Sequence, residues 1–224
     1  MSDRIVSSWN ELTDAVFEGS LNQRLQRYRS DLVFRGVADA RWGLDTSLMR
    51  LGGIYPRLEG SIFRSFRKYA HRGTIDTDSD WKWLTLAQHH GLPTRLLDWT
   101  FSPYVAMHFA TAEITHMNVD AAIWCVNFSY AVEHLPGLLR RLLDEEYTKV
   151  FTVELLDKVA PKLPMFDQLG EQRPFVLFFE PPSMDDRIVN QYALLSVMPG
   201  PSELLKDWLE ELPTCLVESS FHPA

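Results

Sequence analysis

The chain has 224 residues, 46% of them hydrophobic and 23% charged, enough for one sizeable globular domain or two small ones. A formal net charge of −8 argues against a general nucleic-acid binder, whose footprint is basic, while leaving room for a local basic pocket. No apolar run approaches the roughly 20 residues that span a bilayer, so no membrane partner is expected.

The start, MSDRIVSSWNELTDAV, carries early charges and no apolar core, unlike a secretory signal. SSWNELTDAVFEG predicts a helix behind a Ser N-cap, with Trp9, Leu12, Val16 and Phe17 at helical spacing. LVFRGV predicts a short strand with Arg35 in its middle that ends at Gly36. A turn and short helix follow in WGLDTSLMR. The next helix, RLEGSIFRSFRKYAHRG, places Leu58, Ile62, Phe66 and Tyr69 on one side and basic residues on the other. A polar loop, TIDTDSDW, leads into a helix over Trp81–His90 that stops at Gly91. LPTRLLDWT reads as extended or irregular. The helix after it has Ser102 as N-cap and Pro103 at the first position. AAIWCVNF predicts a strand, residues 131–162 a charged helical insertion, and PFVLFFEPP a buried strand. DDRIVNQ reads as a short turn or helix entry, YALLSVMPG as a strand and SELLKDWLEEL as a last amphipathic helix, before a tail without a pattern. Helices and strands mix without strict alternation, which predicts an α+β fold. The two cysteines, Cys125 and Cys215, match no metal or redox spacing, and the histidines none of the zinc patterns. A cytoplasmic, reduced protein with no metal and no tightly bound cofactor is expected.

The stretch QHHGLPTRLLDWT, from Gln88 to Thr100, concentrates reactive side chains among leucines. The helix beginning at Ser102 exposes unpaired N–H groups, a ready anion site that Arg95 would reinforce. The competing reading is an Arg95–Asp98 ion pair that locks a loop. Arg35 inside an apolar strand is costly unless it is paired or faces a ligand. Its guanidinium suits phosphate or carboxylate, and Gly36 lets a ligand or another backbone come close. The competing reading pairs Arg35 with Asp98 or Glu180. Further on, Arg187 and Gln191 precede a strand whose Gln191, Ala193, Leu195 and Val197 share a face. GxSxG, P-loop and GxGxxG patterns are absent, which disfavours the serine hydrolases, P-loop ATPases and Rossmann dehydrogenases that carry them.

Taken in order, FRG, WGLDTSLMR, Glu59, LAQHHGLPTRLLDWTFSPYVAMHFA and RIVNQYALLSV resemble the FRG domain, a bacterial family named for its (F/Y)RG motif. The family pattern carries over onto Phe34, Arg35, Gly36, Gln88, His89, Gly91, Thr94, Leu97, Asp98, Thr100, Ala106, Phe109 and Gln191. The chain departs from it after Gln191, where Tyr192, Ala193 and Leu194 replace the usual glycine and phenylalanine. The same order is similar to arginine-type ADP-ribosyltransferases, with Gln191 where their catalytic glutamate belongs. These resemblances imply a single mixed domain with a central, mostly antiparallel sheet flanked by helices, ADP-ribosyltransferase-like. The FRG domain would fill residues 1–200, leaving 201–224 as a C-terminal helix and tail. They further imply a nucleotide ligand, with NAD as substrate for ADP-ribosyl transfer to a protein target or for hydrolysis. Arg35, His89, Asp98 and Gln191 would be catalytic. Phe34, Gly36, Gln88, Thr94, Arg95, Thr100 and Arg187 would bind substrate. A non-catalytic nucleotide-sensing or protein-interaction module is the alternative, and phage defence is a setting that suits either.

Overall fold

A computed structural model describes residues 2–18, 20–23, 26–28, 31–70, 79–116, 118–182, 192–210 and 216–221. Its strands, numbered along the chain, build one eight-stranded sheet. Across it run β1 (Ser2–Ile5), β10 (Leu216–Phe221), β6 (Ala121–Asn127), β4 (Leu32–Val37), β5 (Leu97–Thr100), β9 (Ala193–Val197), β8 (Leu177–Glu180) and β7 (Phe151–Thr152). Every neighbouring pair is antiparallel except the two outermost, β1 with β10 and β7 with β8. The strands β2 (Leu21–Asn22) and β3 (Arg27–Tyr28) pair only with each other.

Strand alternation sorts the apolar side chains onto two faces. On one face lie Val33 and Val37 of β4, Trp124 and Val126 of β6, Leu97 and Trp99 of β5 and Leu194 of β9. The helices α5 (Phe128–Glu133) and α9 (Leu205–Glu210) close over them with Phe128, Leu205 and Trp208. The other face is shared between two helical groups. Over β4 and β6, α1 (Trp9–Phe17) and α4 (Pro103–Thr111) pack on Phe34, Ile123 and Cys125. Over β8 and β9 lie α2 (Tyr55–Tyr69), α3 (Asp80–His89), α6 (Gly137–Glu145), α7 (Val153–Val159) and α8 (Leu163–Leu169). The seam between the groups follows β5, and the site opens there.

The helix ends follow from capping chemistry. Ser8 accepts from the Glu11 N–H, Ser79 from Lys82 and Ser102 from Val105, each satisfying an otherwise unpaired first-turn donor. Gly91 ends α3 at φ 77°, a conformation that costs glycine nothing. The fold is the expected α+β arrangement, with a mostly antiparallel sheet flanked by helices.

Two local expectations need correction. The inward face of α2 is Glu59 and Phe63, while Tyr69 is 80% exposed. An ion pair, described below, draws Glu59 inward and rotates the helix away from its most apolar line. Within the tail, Leu216–Phe221 forms β10, inserted between β1 and β6 with six register pairs to β6. The charged segment 131–162 is mostly helical but also adds β7 to the edge of the sheet, and it supplies Leu139, Leu143, Leu155 and Leu156 to the core. Among the described residues no helix is long and apolar enough to cross a membrane.

Candidate functional site

β5 pairs with β9 along its whole length but with β4 through a single residue pair, Phe34 opposite Thr100. Beyond that pair the two strands part, and the Arg35 side chain spans the gap. Its Nη1 donates to the Asp98 carbonyl at 2.8 Å, taking the place of a strand-to-strand bond. A cavity of about 730 Å³ opens at this point. Phe34, Arg35 and Gly36 of β4 and Asp98 and Thr100 of β5 form its floor, and Gln88 and His89 at the end of α3 form one side. The loop after β4 adds Arg41, Trp42, Asp45 and Arg50. The last turn of α4 and the residues after it add Phe109 and Glu113.

The Asp98 carboxylate is held from behind. Gln88 Nε2 donates to its Oδ2 at 3.0 Å, and the Gln88 carbonyl oxygen accepts from the buried Thr94 hydroxyl. That second bond fixes which end of the Gln88 amide faces Asp98. Thr94, expected among the ligand contacts, is absent from the wall and acts on it through Gln88.

Arg35 is in an unusual electrostatic state. Its Nε is buried without a hydrogen-bond partner, and among the described residues no carboxylate lies within ion-pair distance of the guanidinium. Burial lowers its pKa from the ordinary arginine value, the charge of Asp98 opposes that, and the charge of Arg50 adds to it. The alternative pairings with the Asp98 carboxylate or Glu180 do not form. The contact to Asp98 runs through its main-chain carbonyl, and Glu180 is exposed and off the wall.

Arg95 is a correction. It is 5% exposed, lies off the cavity wall and pairs with neither Asp98 nor a ligand position. Its Nε donates to Glu59 at 2.6 Å, a second bond joins the same carboxylate, and Asp167 of α8 takes the other side of the fork. Asp167 also accepts from the Gly200 N–H at 2.8 Å. Burial would lower the Arg95 pKa, but the bonds and charges of Glu59 and Asp167 more than offset it and leave it above the ordinary value. This triad ties α2, the approach to β5 and α8 together. A second correction concerns α4. The cavity meets Phe109 and Glu113 beyond its middle, while Ser102 and Pro103 at its N-terminus are off the wall, so its first-turn N–H groups do not line the cavity.

Gly36 has the role of admitting a backbone. A Cβ at that position would stand 1.9 Å from the Ala106 carbonyl oxygen of α4. Of the residues expected at the site, Phe34, Arg35, Gly36, Gln88, His89, Asp98 and Thr100 thus share the wall. Arg187 and Gln191 lie outside the described residues. Sequence reasoning missed Arg50, Trp42 and Glu113. Arg50 closes the WGLDTSLMR stretch already singled out, and that position was the available signal.

Fold and site define an α+β protein whose sheet opens, between two helical groups, into a cavity lined by arginines, carboxylates and aromatic rings. Residues 30–118 match the family model of the FRG domain. The match takes in β4, α2, α3, β5 and α4, and with them most of the cavity wall. No curated protein and no solved structure matches the chain.

Proposed function

We propose that the cavity binds a nucleotide, and that its walls suit cleavage of NAD at the nicotinamide–ribose bond, by ADP-ribosyl transfer to a protein target or by hydrolysis. One observation carries the reading: a guanidinium without a carboxylate partner and a carboxylate held from behind face the same space of about 730 Å³. That volume falls in the range of small-molecule sites, roughly 300–1,000 Å³. An arginine in this state suits phosphate oxygens, which supply the charge that burial has made costly to leave unmatched. Asp98, with one oxygen engaged by Gln88, has lone pairs left for a ribose hydroxyl. Its charge stabilises the cation that develops as the C1′–N bond breaks and its electron pair leaves with nicotinamide. Water or an acceptor side chain then forms the new bond at C1′, and His89 on the same wall takes the proton released. NAD enters as a substrate and not as a resident cofactor. Such an activity would serve phage defence, where loss of NAD or marking of a protein target halts the host.

A second reading has its own support in Gln191. The resemblance puts this residue where a catalytic glutamate belongs, and an amide there would hold a hydroxyl but add no negative charge, which suits a module that senses a nucleotide without turning it over. Incubation with labelled NAD and thermal shift with NAD and ADP-ribose separate the two. The enzyme reading expects turnover by the wild type, a loss of about 10²–10³ in rate for Asp98→Asn and loss of binding for Arg35→Ala. Stabilisation by NAD without turnover leaves the sensing module. Absence of any shift with either ligand overturns both.

A further inference from the structure

We propose that Arg35 and Arg50 together clamp a diphosphate group, the linking part of a dinucleotide; this rests on the nucleotide reading of the cavity. Arg50 belongs to a 3₁₀ turn, Met49–Leu51, and faces the same cavity as Arg35 from the loop after β4. The two side chains are moored in the same way. Arg35 Nη1 donates to the Asp98 carbonyl at 2.8 Å, and Arg50 Nη1 donates to the Asp45 carbonyl at 2.7 Å. A neutral main-chain acceptor fixes the direction of a guanidinium and leaves its charge uncancelled. Among the described residues neither arginine has a carboxylate at ion-pair distance.

Arg41, the third arginine on the wall, shows the contrast. Asp39 grips it through both carboxylate oxygens, at 2.9 Å and 3.2 Å from Nε, and cancels its charge. The carboxylates on the wall are Asp45, Asp98 and Glu113. Gln88 holds Asp98, and Glu113 is paired with His116 at 3.0 Å. Arg35 and Arg50 are near enough for the charge of one to disfavour the charge of the other. Two like charges facing one cavity are costly when it is empty, and an anion between them removes that cost. A single carboxylate or phosphate needs only one guanidinium fork. Two forks, each with one N–H committed to the main chain, match the several oxygens spread along a diphosphate. The carboxylates then meet ribose hydroxyls.

Isothermal titration with inorganic pyrophosphate and with orthophosphate tests the clamp on wild type, Arg50→Gln and, as a control for charge, Arg64→Gln on the exposed side of α2. Pyrophosphate should bind more tightly than orthophosphate. Arg50→Gln should weaken it by roughly tenfold or more, as loss of a charged hydrogen-bonding partner does, and Arg64→Gln should leave it unchanged. Melting temperatures of the variants check that each is folded. Equal binding of the two anions, or equal effects of the two substitutions, overturns the clamp. NAD binding and turnover, measured on the same proteins, keep the two ideas apart. Pyrophosphate binding that depends on Arg50, without NAD turnover, supports the clamp and removes the glycosyl chemistry. NAD binding indifferent to Arg50→Gln removes the clamp and leaves the nucleotide reading in place.

Discussion

Replacing Gly36 by alanine should be among the most damaging single-methyl changes available to this protein. The added Cβ would sit 1.9 Å from the Ala106 oxygen and 2.8 Å from both the Ala106 carbon and the Ala110 nitrogen, all of them main-chain atoms that no rotamer can move aside. Restoring ordinary contact at 3.4 Å requires α4 to retreat from β4 by about 1.5 Å. A gap of that size forfeits much of the dispersion energy between Ala106, Met107 and Ala110 and the Phe34–Ile123–Cys125 surface beneath them. Overpacking of this kind costs about 1–3 kcal/mol, and the overlap puts Gly36→Ala at the upper end. For a chain of this size that is a fall of roughly 6–12 °C in melting temperature. The same retreat moves Phe109 and Glu113 off their places on the cavity wall, so ligand binding should weaken as well. Thermal unfolding by circular dichroism measures the first effect. Gly60→Ala is the control, since a Cβ there meets nothing within 4 Å inside α2 and should stabilise by about 0.5–1 kcal/mol. If Gly36→Ala melts within a degree or two of the wild type, the close approach of α4 to β4 is wrong.

The two inner arginines should behave oppositely. Arg95→Met strands the Glu59 and Asp167 carboxylates and should cost about 3–5 kcal/mol. Arg35→Met removes a buried charge that no carboxylate pairs, so the melting temperature should hold or rise while ligand binding disappears. Equal losses of stability from both substitutions would contradict this division of roles. Arg41, through its side-chain hydrogen bonds and then its main-chain N–H, holds the Asp39 carboxyl well below the usual range, at about 2. A depressed carboxyl stabilises the fold above its unfolded pKa, near 4, and loses that contribution as pH falls toward 2. The melting-temperature gap between wild type and Asp39→Asn should therefore be full at neutral pH and close as pH drops from about 4 to about 2; a gap independent of pH refutes it. Burial pushes the Cys125 thiol up to about 12, so peptide mapping after iodoacetamide treatment at neutral pH should find this cysteine unmodified until the protein is unfolded.

Much of the architecture was legible because it rests on short-range chemistry. Ser8 and Ser102 mark their helices through first-turn caps, and Gly91 marks the end of α3 by its left-handed backbone. The apolar run AAIWCV is buried along the strand because it lies between two neighbours with helices over it. The cavity floor could be anticipated because an arginine in an apolar strand is rarely idle. What could not be read depends on partners distant in the chain. Arg95 is joined to residues 36 and 72 positions away, and no local pattern distinguishes that triad from a ligand contact. The same pairing turns Glu59 inward against the hydrophobic pattern of α2. The strands β1, β7 and β10 lie at or near the sheet edges and take their identity from the strand they join. Arg50 becomes conspicuous only when β4 and β5 part and the loop after β4 folds over the gap.

A crystal structure with ADP-ribose at saturating concentration bears most directly on the cavity. The diphosphate should lie against Arg35 and Arg50, with a ribose hydroxyl on the Asp98 oxygen that Gln88 leaves open. A ligand bound elsewhere, or an empty cavity in which Arg35 has turned to pair with a carboxylate, would contradict the nucleotide site.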